Sequence, residues 1–400
     1  MTQTEELIFR LCNKTFLSLW SFPNPIGKED KELCDVLVVC EPDIIIFSIK
    51  DINICDSGNS ETDFNRWNKR AIDDSVKQLY GAERFIMSHD GFTLCNHRTQ
   101  VEFPDVNHRK VYRIAVCFGI GERFSLKYGD FGKGFIHVFD EKSFQIVLKE
   151  LDTIKDFIDY LKSKEAFILA QRYLFSYGEE DTLAYYLSNN FAFPDAGDLV
   201  IFEGDLYEGL RMNPKYQKIL SELKTSYVWD NLIRELIEDF DSKSLITNVP
   251  REDLERTLRQ IAREDRNSRK VLSDQFLDFI GYKKEPLARA RVIVSGQNSE
   301  VIYLFLLVDY SQRDLRVEEL QMRSFVLRAI YNCKTIVGIA TERYNPRGHS
   351  LDFSFSSYPE FSEEQKNDAI KLAKDLGYFM NLINKEHVCP LKVMDTHDVS

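Results

Sequence analysis

Two runs of branched and aromatic residues, Val36-Leu-Val-Val-Cys40 and Ile44-Ile-Ile-Phe-Ser-Ile49, stand on either side of Glu41-Pro42-Asp43. Proline presets one backbone angle and Asp hydrogen-bonds its own chain, so turn chemistry between two apolar runs predicts a β-hairpin. Side chains alternate along a strand, which puts Asp35 on one face with Leu37 and Val39, and Ser48 and Lys50 on one face with Ile44 and Ile46. Polar groups at the end of an apolar surface are costly without a partner. Asp35 and Lys50 are therefore the first candidates for paired chemistry.

The flanking segments extend the pattern. Glu5-Glu6-Leu-Ile-Phe-Arg-Leu-Cys through Trp20 reads as a first helix, and Asp63 to Gly81 as a helix after the hairpin. On the second helix Phe64, Ala71, Ser75, Gln78 and Ala82 fall at spacings of seven, four, three and four, so Gln78 lies on the stripe facing the sheet.

The order of Asp35, a hairpin turn, x-Ile-Lys50, an early helical Glu and a later helical Gln resembles the PD-(D/E)xK nuclease superfamily, over the amino-terminal third to half of the chain. The resemblance implies an α/β fold with a restriction-endonuclease-like mixed sheet flanked by helices. It also implies Mg²⁺- or Mn²⁺-dependent hydrolysis of phosphodiesters, with DNA the expected partner, RNA the alternative, and a prokaryotic defence role. In that reading Asp35, Lys50, Gln78 and Glu6 are catalytic, and Asp35, Glu6 and Asp74 hold the metal. A divalent cation polarises phosphate and lowers the pKa of bound water, and Lys50 orients or deprotonates that water. The family's second acid belongs two residues before the lysine, where this chain has Ser48. Asp73, Asp74 and Glu83 are the carboxylates on the following helix that would substitute for it. The rival reading is a catalytically inactive member kept as a nucleic-acid-binding or scaffolding module.

Composition narrows the partners. The net charge of −12 argues against bulk coating of a polyanion and leaves room for a local basic groove. Arg66, Lys69 and Arg70 on the second helix are the candidate nucleic-acid contacts, followed by Arg98, Arg109, Lys110 and Arg113. The eight cysteines form no C-x-x-C pair, so neither a zinc ribbon nor a redox dithiol is indicated, and buried thiols in a reducing compartment are expected. No basic region followed by an apolar core opens the chain, and the apolar run at Val301–Val308 is too short to span a bilayer. A cytoplasmic protein with no membrane partner is the expectation.

At 400 residues the chain exceeds the usual single domain. The expected divisions are 1–165 for the nuclease-like part, 166–285 for a helical connecting region, and 286–400 for a separate α+β domain. Strands are predicted at Lys110–Phe118 and Phe135–Phe139 and one helix over Ser143–Lys164. In the last part, strands are predicted at Ala290–Val294, Val301–Asp309, Thr335–Ala340 and Leu351–Phe355, with helices at Val317–Tyr331 and Ser362–Ile383. That last domain is open to a sensor, target-recognition or oligomerisation role, the last implying a homo-oligomer. Gly119-Ile-Gly121 and Gly129-Asp-Phe-Gly-Lys-Gly134 fit neither nucleotide-binding pattern, and a hairpin loop is the better reading. His387 and Cys389 have no second ligand pair beside them.

Overall fold

The computed structural model describes residues 2–54, 57–119, 126–170, 173–175, 178–194, 199–202, 204–241, 251–281, 289–342, 350–383 and 394–396. The chain forms two compact units, Met1–Leu220 and Ser221–Ser400. The division falls inside the expected 166–285 connecting region, whose helices are shared between the units. Cys55, His387 and Cys389 lie outside the described residues.

Unit 1 opens with α1 (Gln3–Phe16), started by a capping box in which Thr2 accepts from the Glu5 N–H and Glu5 accepts from the Thr2 N–H. Then come β1 (Ser21–Pro23), β2 (Val36–Cys40) and β3 (Asp43–Asp51), an antiparallel meander with Ser21 opposite Val38 and Val36 opposite Phe47. The helix after the hairpin is α2 (Ser60–Asn68) and α3 (Asp74–Ile86), joined by a π-helical turn at Lys69–Asp73. A short pair, β4 (Gly91–Thr93) and β5 (Gln100–Glu102), precedes β6 (Lys110–Phe118), which runs parallel to β3 with Lys50 opposite Cys117. β7 (Gly129–Asp130) and β8 (Phe135–Asp140) form a small hairpin, closed by Asp130 accepting from the Gly132 and Gly134 N–H groups. The strands flanking the glycine-rich stretch do not form the expected hairpin, because β6 and β8 pair in parallel, and Ile120 and Gly121 lie outside the described residues. The six-stranded mixed sheet has the order β1-β2-β3-β6-β8-β7.

β2 and most of β3 are buried on both faces, which accounts for their continuous apolar runs. One face, with Leu37, Ile44, Ile46 and Ala115, packs in one core with Trp67, Ala71, Ile72, Leu79 and Ile86 of the α2–α3 helix. On the other, Phe47 meets Phe16 of α1 at 6.2 Å between ring centres and Phe144 at 5.7 Å. The single helix expected over 143–164 is two, α4 (Glu141–Glu150) and α5 (Ile154–Leu169), because Thr153 leaves the helix and caps the second through the Asp156 N–H. The apolar stripe holds across the break: Leu148, Leu151, Ile154, Phe157, Ile158 and Leu161 are all buried. Unit 1 continues through β9 (Tyr173–Phe175), α6 (Glu179–Ser188), β10 (Leu199–Ile201), α7 (Leu206–Met212) and most of α8 (Pro214–Glu222), within which the division falls, with β9 and β10 paired in parallel.

Unit 2 starts with α9 (Tyr227–Asp241), α10 (Arg251–Ala262) and α11 (Arg266–Gly281). It continues with β11 (Ala290–Val294), β12 (Val301–Leu307), α12 (Arg316–Tyr331), β13 (Thr335–Thr341) and β14 (Leu351–Ser357). The expected Ser362–Ile383 helix is α13 (Glu363–Leu376), ended by Gly377 in the left-handed region, and α14 (Met380–Ile383). β15 (Met394–Thr396) completes a sheet of order β14-β13-β12-β11-β15, in which only β12 and β13 are parallel. Its two sides are filled by α12, α13 and α14 residues against Ile302, Leu304 and Leu306, and by Trp229, Phe276 and Phe279 around Phe305.

Candidate active site

Asp35 leads into β2 and stands at the same sheet end as Ser48 and Lys50, because the hairpin register continues Val36 opposite Phe47 by one step. Its backbone N–H donates to Phe47 O at 3.2 Å, and Oδ2 accepts from the Ile49 N–H at 2.5 Å. Lys50 Nζ lies 4.0 Å from the same oxygen. Across the parallel crossover, Gln78 of α3 brings Oε1 to 2.9 Å from Lys50 Nζ and 2.7 Å from Ser48 Oγ. Ser75, one turn earlier on the helix, places its Oγ 3.0 Å from Ser48 Oγ. The structure thus brings Asp35, Ser48, Lys50 and Gln78 together.

The electrostatics of this cluster are unbalanced. Asp35 is 5% exposed. Burial pushes its carboxyl up to about 6, opposed by the Ile49 N–H and Lys50 and assisted by the charges of Glu32 and Glu5. One oxygen is held by Ile49, while Oδ1 receives no hydrogen bond among the described residues. Such a carboxylate is under-satisfied and able to take a cation.

The other expected acids behave differently. Glu6 is exposed on α1, and of the two early acids it is Glu5 whose charge reaches Asp35. Asp74 is exposed and paired with Lys77 at 2.8 Å, which holds its carboxyl below the usual range. Glu83 is paired with Arg113 at 3.0 Å, and Asp73 is half-buried. None of these carboxylates bonds Ser48, whose described partners are Ser75 and Gln78. Ser75 is the residue that sequence reasoning left without a role. Its signal was present, a small polar side chain on the sheet-facing stripe three residues before Gln78.

The described residues contain no group of three His, Cys, Asp or Glu side chains placed to hold a metal ion. A closed zinc site, which needs about four protein ligands, does not fit. Asp35 with its open Oδ1 fits a hard cation such as Mg²⁺, which keeps several waters and binds through one or two carboxylates. Arg66, Lys69 and Arg70 are exposed on the end of α2 and the π-helical turn, and no ion pair engages them among the described residues. Arg109 and Arg113 are committed elsewhere, to the carbonyls of Pro104 and Ile86 and of Phe135. Five described cysteines, Cys12, Cys34, Cys40, Cys117 and Cys333, are buried, and Cys95 is exposed. No helix among the described residues is long and apolar enough to cross a membrane. The sequence matches no protein-family model, no curated protein and no solved structure.

Proposed function

We propose that unit 1 is a metal-dependent phosphodiesterase of the restriction-endonuclease type, acting on DNA, with Asp35 as the metal anchor and Lys50 and Gln78 as the groups that face the phosphate. The observation that carries this reading is the convergence of one under-satisfied carboxylate, one ammonium and one amide at the ends of β2 and β3. The element order supports it: a helix, an antiparallel meander, a helix and a parallel strand, the arrangement the superfamily resemblance implies. Mg²⁺ at Asp35 would supply charge neutralisation at phosphate and a more acidic water. Lys50, 28% exposed at its side chain, sits on the open side of the cluster and balances the charge that develops on the phosphate oxygens. The exposed Arg66, Lys69 and Arg70 provide a local positive track on a chain that is acidic as a whole.

A second reading has its own observation. Ser48 is met by Ser75 and Gln78 and by no carboxylate, so the fold would serve as a nucleic-acid-binding module without cleavage. The two readings separate in one experiment on the purified full chain. Cleavage of plasmid, linear duplex and RNA is followed with Mg²⁺ or Mn²⁺, and binding with Ca²⁺. Cleavage lost in Asp35→Ala and Lys50→Ala establishes the phosphodiesterase. Binding without cleavage establishes the module, and neither binding nor cleavage rejects both.

A further inference from the structure

We propose that Ser48 is a positioning residue: it locks the Gln78 amide so that Nε2–H₂ faces the reaction space as a donor to a non-bridging phosphate oxygen. This deepens the phosphodiesterase reading above and rests on it.

The orientation follows from donor and acceptor chemistry. An ammonium has three donors and no acceptor, so the amide atom 2.9 Å from Lys50 Nζ must be the carbonyl oxygen. Ser48 Oγ approaches the same oxygen at 2.7 Å and is the second donor to it. A serine hydroxyl has one hydrogen. Gln78 Oε1 can only accept, so the Ser48 hydrogen goes there, and Ser75, 3.0 Å away, turns its own hydrogen toward Ser48 Oγ. Ser75, Ser48 and Gln78 form a relay that runs one way.

Burial makes the relay rigid. Ser48 and Ser75 are both fully buried, so neither hydroxyl can be satisfied by water when it turns away. With Oε1 held by two donors, the amide has one remaining end. Nε2 receives no protein partner among the described residues, and Gln78 is half-buried, with this end free for an incoming acceptor. A carboxylate at position 48 would draw the Lys50 ammonium to itself and repel a phosphate. The neutral hydroxyl does neither, and hands its fixed direction on to a group that stabilises negative charge as it builds.

The test uses full-length protein, a duplex DNA substrate and Mn²⁺, with kcat, KM and melting temperature measured for each variant. Gln78→Ala is expected to lower kcat by about a hundredfold, as removal of one oriented donor does. Ser48→Ala is expected to lower kcat about tenfold with a smaller change in KM, since the amide's bond to the already anionic oxygen strengthens as further charge develops. In the Gln78→Ala background, Ser48→Ala should have no further effect, because its action passes through the amide. Should Ser48→Ala fail to fold, Ser75→Ala cuts the relay one step back and is expected to move kcat in the same direction by less. Wild type that cleaves while these serine variants match it overturns the inference alone. Equal Ser48→Ala losses with and without Gln78 also overturn it. Wild type with no cleavage of DNA or RNA overturns both the inference and the phosphodiesterase reading.

Discussion

The two units share a motif and use it in opposite ways. Each contains an antiparallel hairpin whose second strand is carried by a helix into a parallel third strand: β2, β3 and β6 in unit 1, and β11, β12 and β13 in unit 2. Each gathers charge at the end of that parallel pair. In unit 2 the charge is a fully buried Arg316, whose guanidinium donates to Glu342 at 2.7 Å, to Asp352 at 3.2 Å and to Val308 O at 2.8 Å. Burial alone would raise Glu342, yet hydrogen bonds from Ser350 and Arg316 bring it down to about 2. In unit 1 the corresponding acid is pushed the other way, to about 6, and keeps an open oxygen. A carboxylate lowered by its partners is a fastener, whereas one raised in spite of them still carries the cost of its burial.

The sharpest way to break this contrast is to remove the central charged group from each cluster, the acid in unit 1 and the cation in unit 2. Asp35→Ala is expected to reduce metal-dependent cleavage by about a thousandfold or more, with only a small change in melting temperature, since relief of the buried charge offsets the lost acceptor for the Ile49 N–H. The corresponding cut in unit 2 acts on stability instead. Arg316→Ala strands Glu342 and Asp352 without their buried cation and should cost roughly 3–5 kcal/mol in urea unfolding of unit 2. Lys50→Met, by contrast, removes a half-open ammonium and should change stability by less than about 1 kcal/mol. Similar stability losses for Arg316→Ala and Lys50→Met would show that the clusters are of one kind.

Amide substitutions sharpen the comparison through pH. The folded pKa of Asp35, about 6, lies above its ordinary 3.8. Its stabilising contribution is therefore complete below pH 3.8 and lost as pH rises through about 6. Asp35→Asn keeps the acceptor for the Ile49 N–H without the charge, so it should stabilise unit 1 by roughly 1–3 kcal/mol at pH 8 and by nothing near pH 4. Glu342 has the opposite sign, with a folded value of about 2 against 4.5. Its contribution is present above pH 4.5 and disappears as pH falls through about 2, so Glu342→Gln should lower the melting temperature at pH 7 and be neutral near pH 2. A gain for Glu342→Gln at neutral pH would sink the distinction.

Part of this was legible in the sequence for a physical reason. The hairpin showed because its turn residues and its alternation are local; the faces placed Asp35 and Lys50 at its end, while Gln78 was singled out by the family resemblance and its stripe only turned it toward the sheet. The partner of Ser48 did not show, because a stripe says which way a side chain points and not what it meets across a crossover. The π-helical turn at Lys69–Asp73 was also hidden. It buries Ala71 and Ile72, an adjacent pair that an ordinary α-helical stripe also accommodates, so the apolar pattern carried no sign of the wider turn. The division of 166–285 between units was invisible because helical periodicity reads the same on both sides of residue 220, and only long-range packing separates them.

The smallest expected effect concerns the surface. In unit 2, Arg256 lies 3.8 Å from Asp253 and Arg259 lies 3.6 Å from Glu255, acids of their own helix that largely cancel them. Arg66, Lys69 and Arg70 have no such ion pair among the described residues, so each is available to a phosphate. Each phosphate neutralised adds about 0.9 to the slope of log affinity against log salt. Replacing Arg66, Lys69 and Arg70 by Gln should therefore flatten the salt dependence of DNA binding in Ca²⁺ by up to about 3. The double substitution Arg256→Gln and Arg259→Gln should leave the slope unchanged. If the unit 2 pair flattens the slope and the unit 1 trio does not, the nucleic-acid track has been assigned to the wrong half of the molecule.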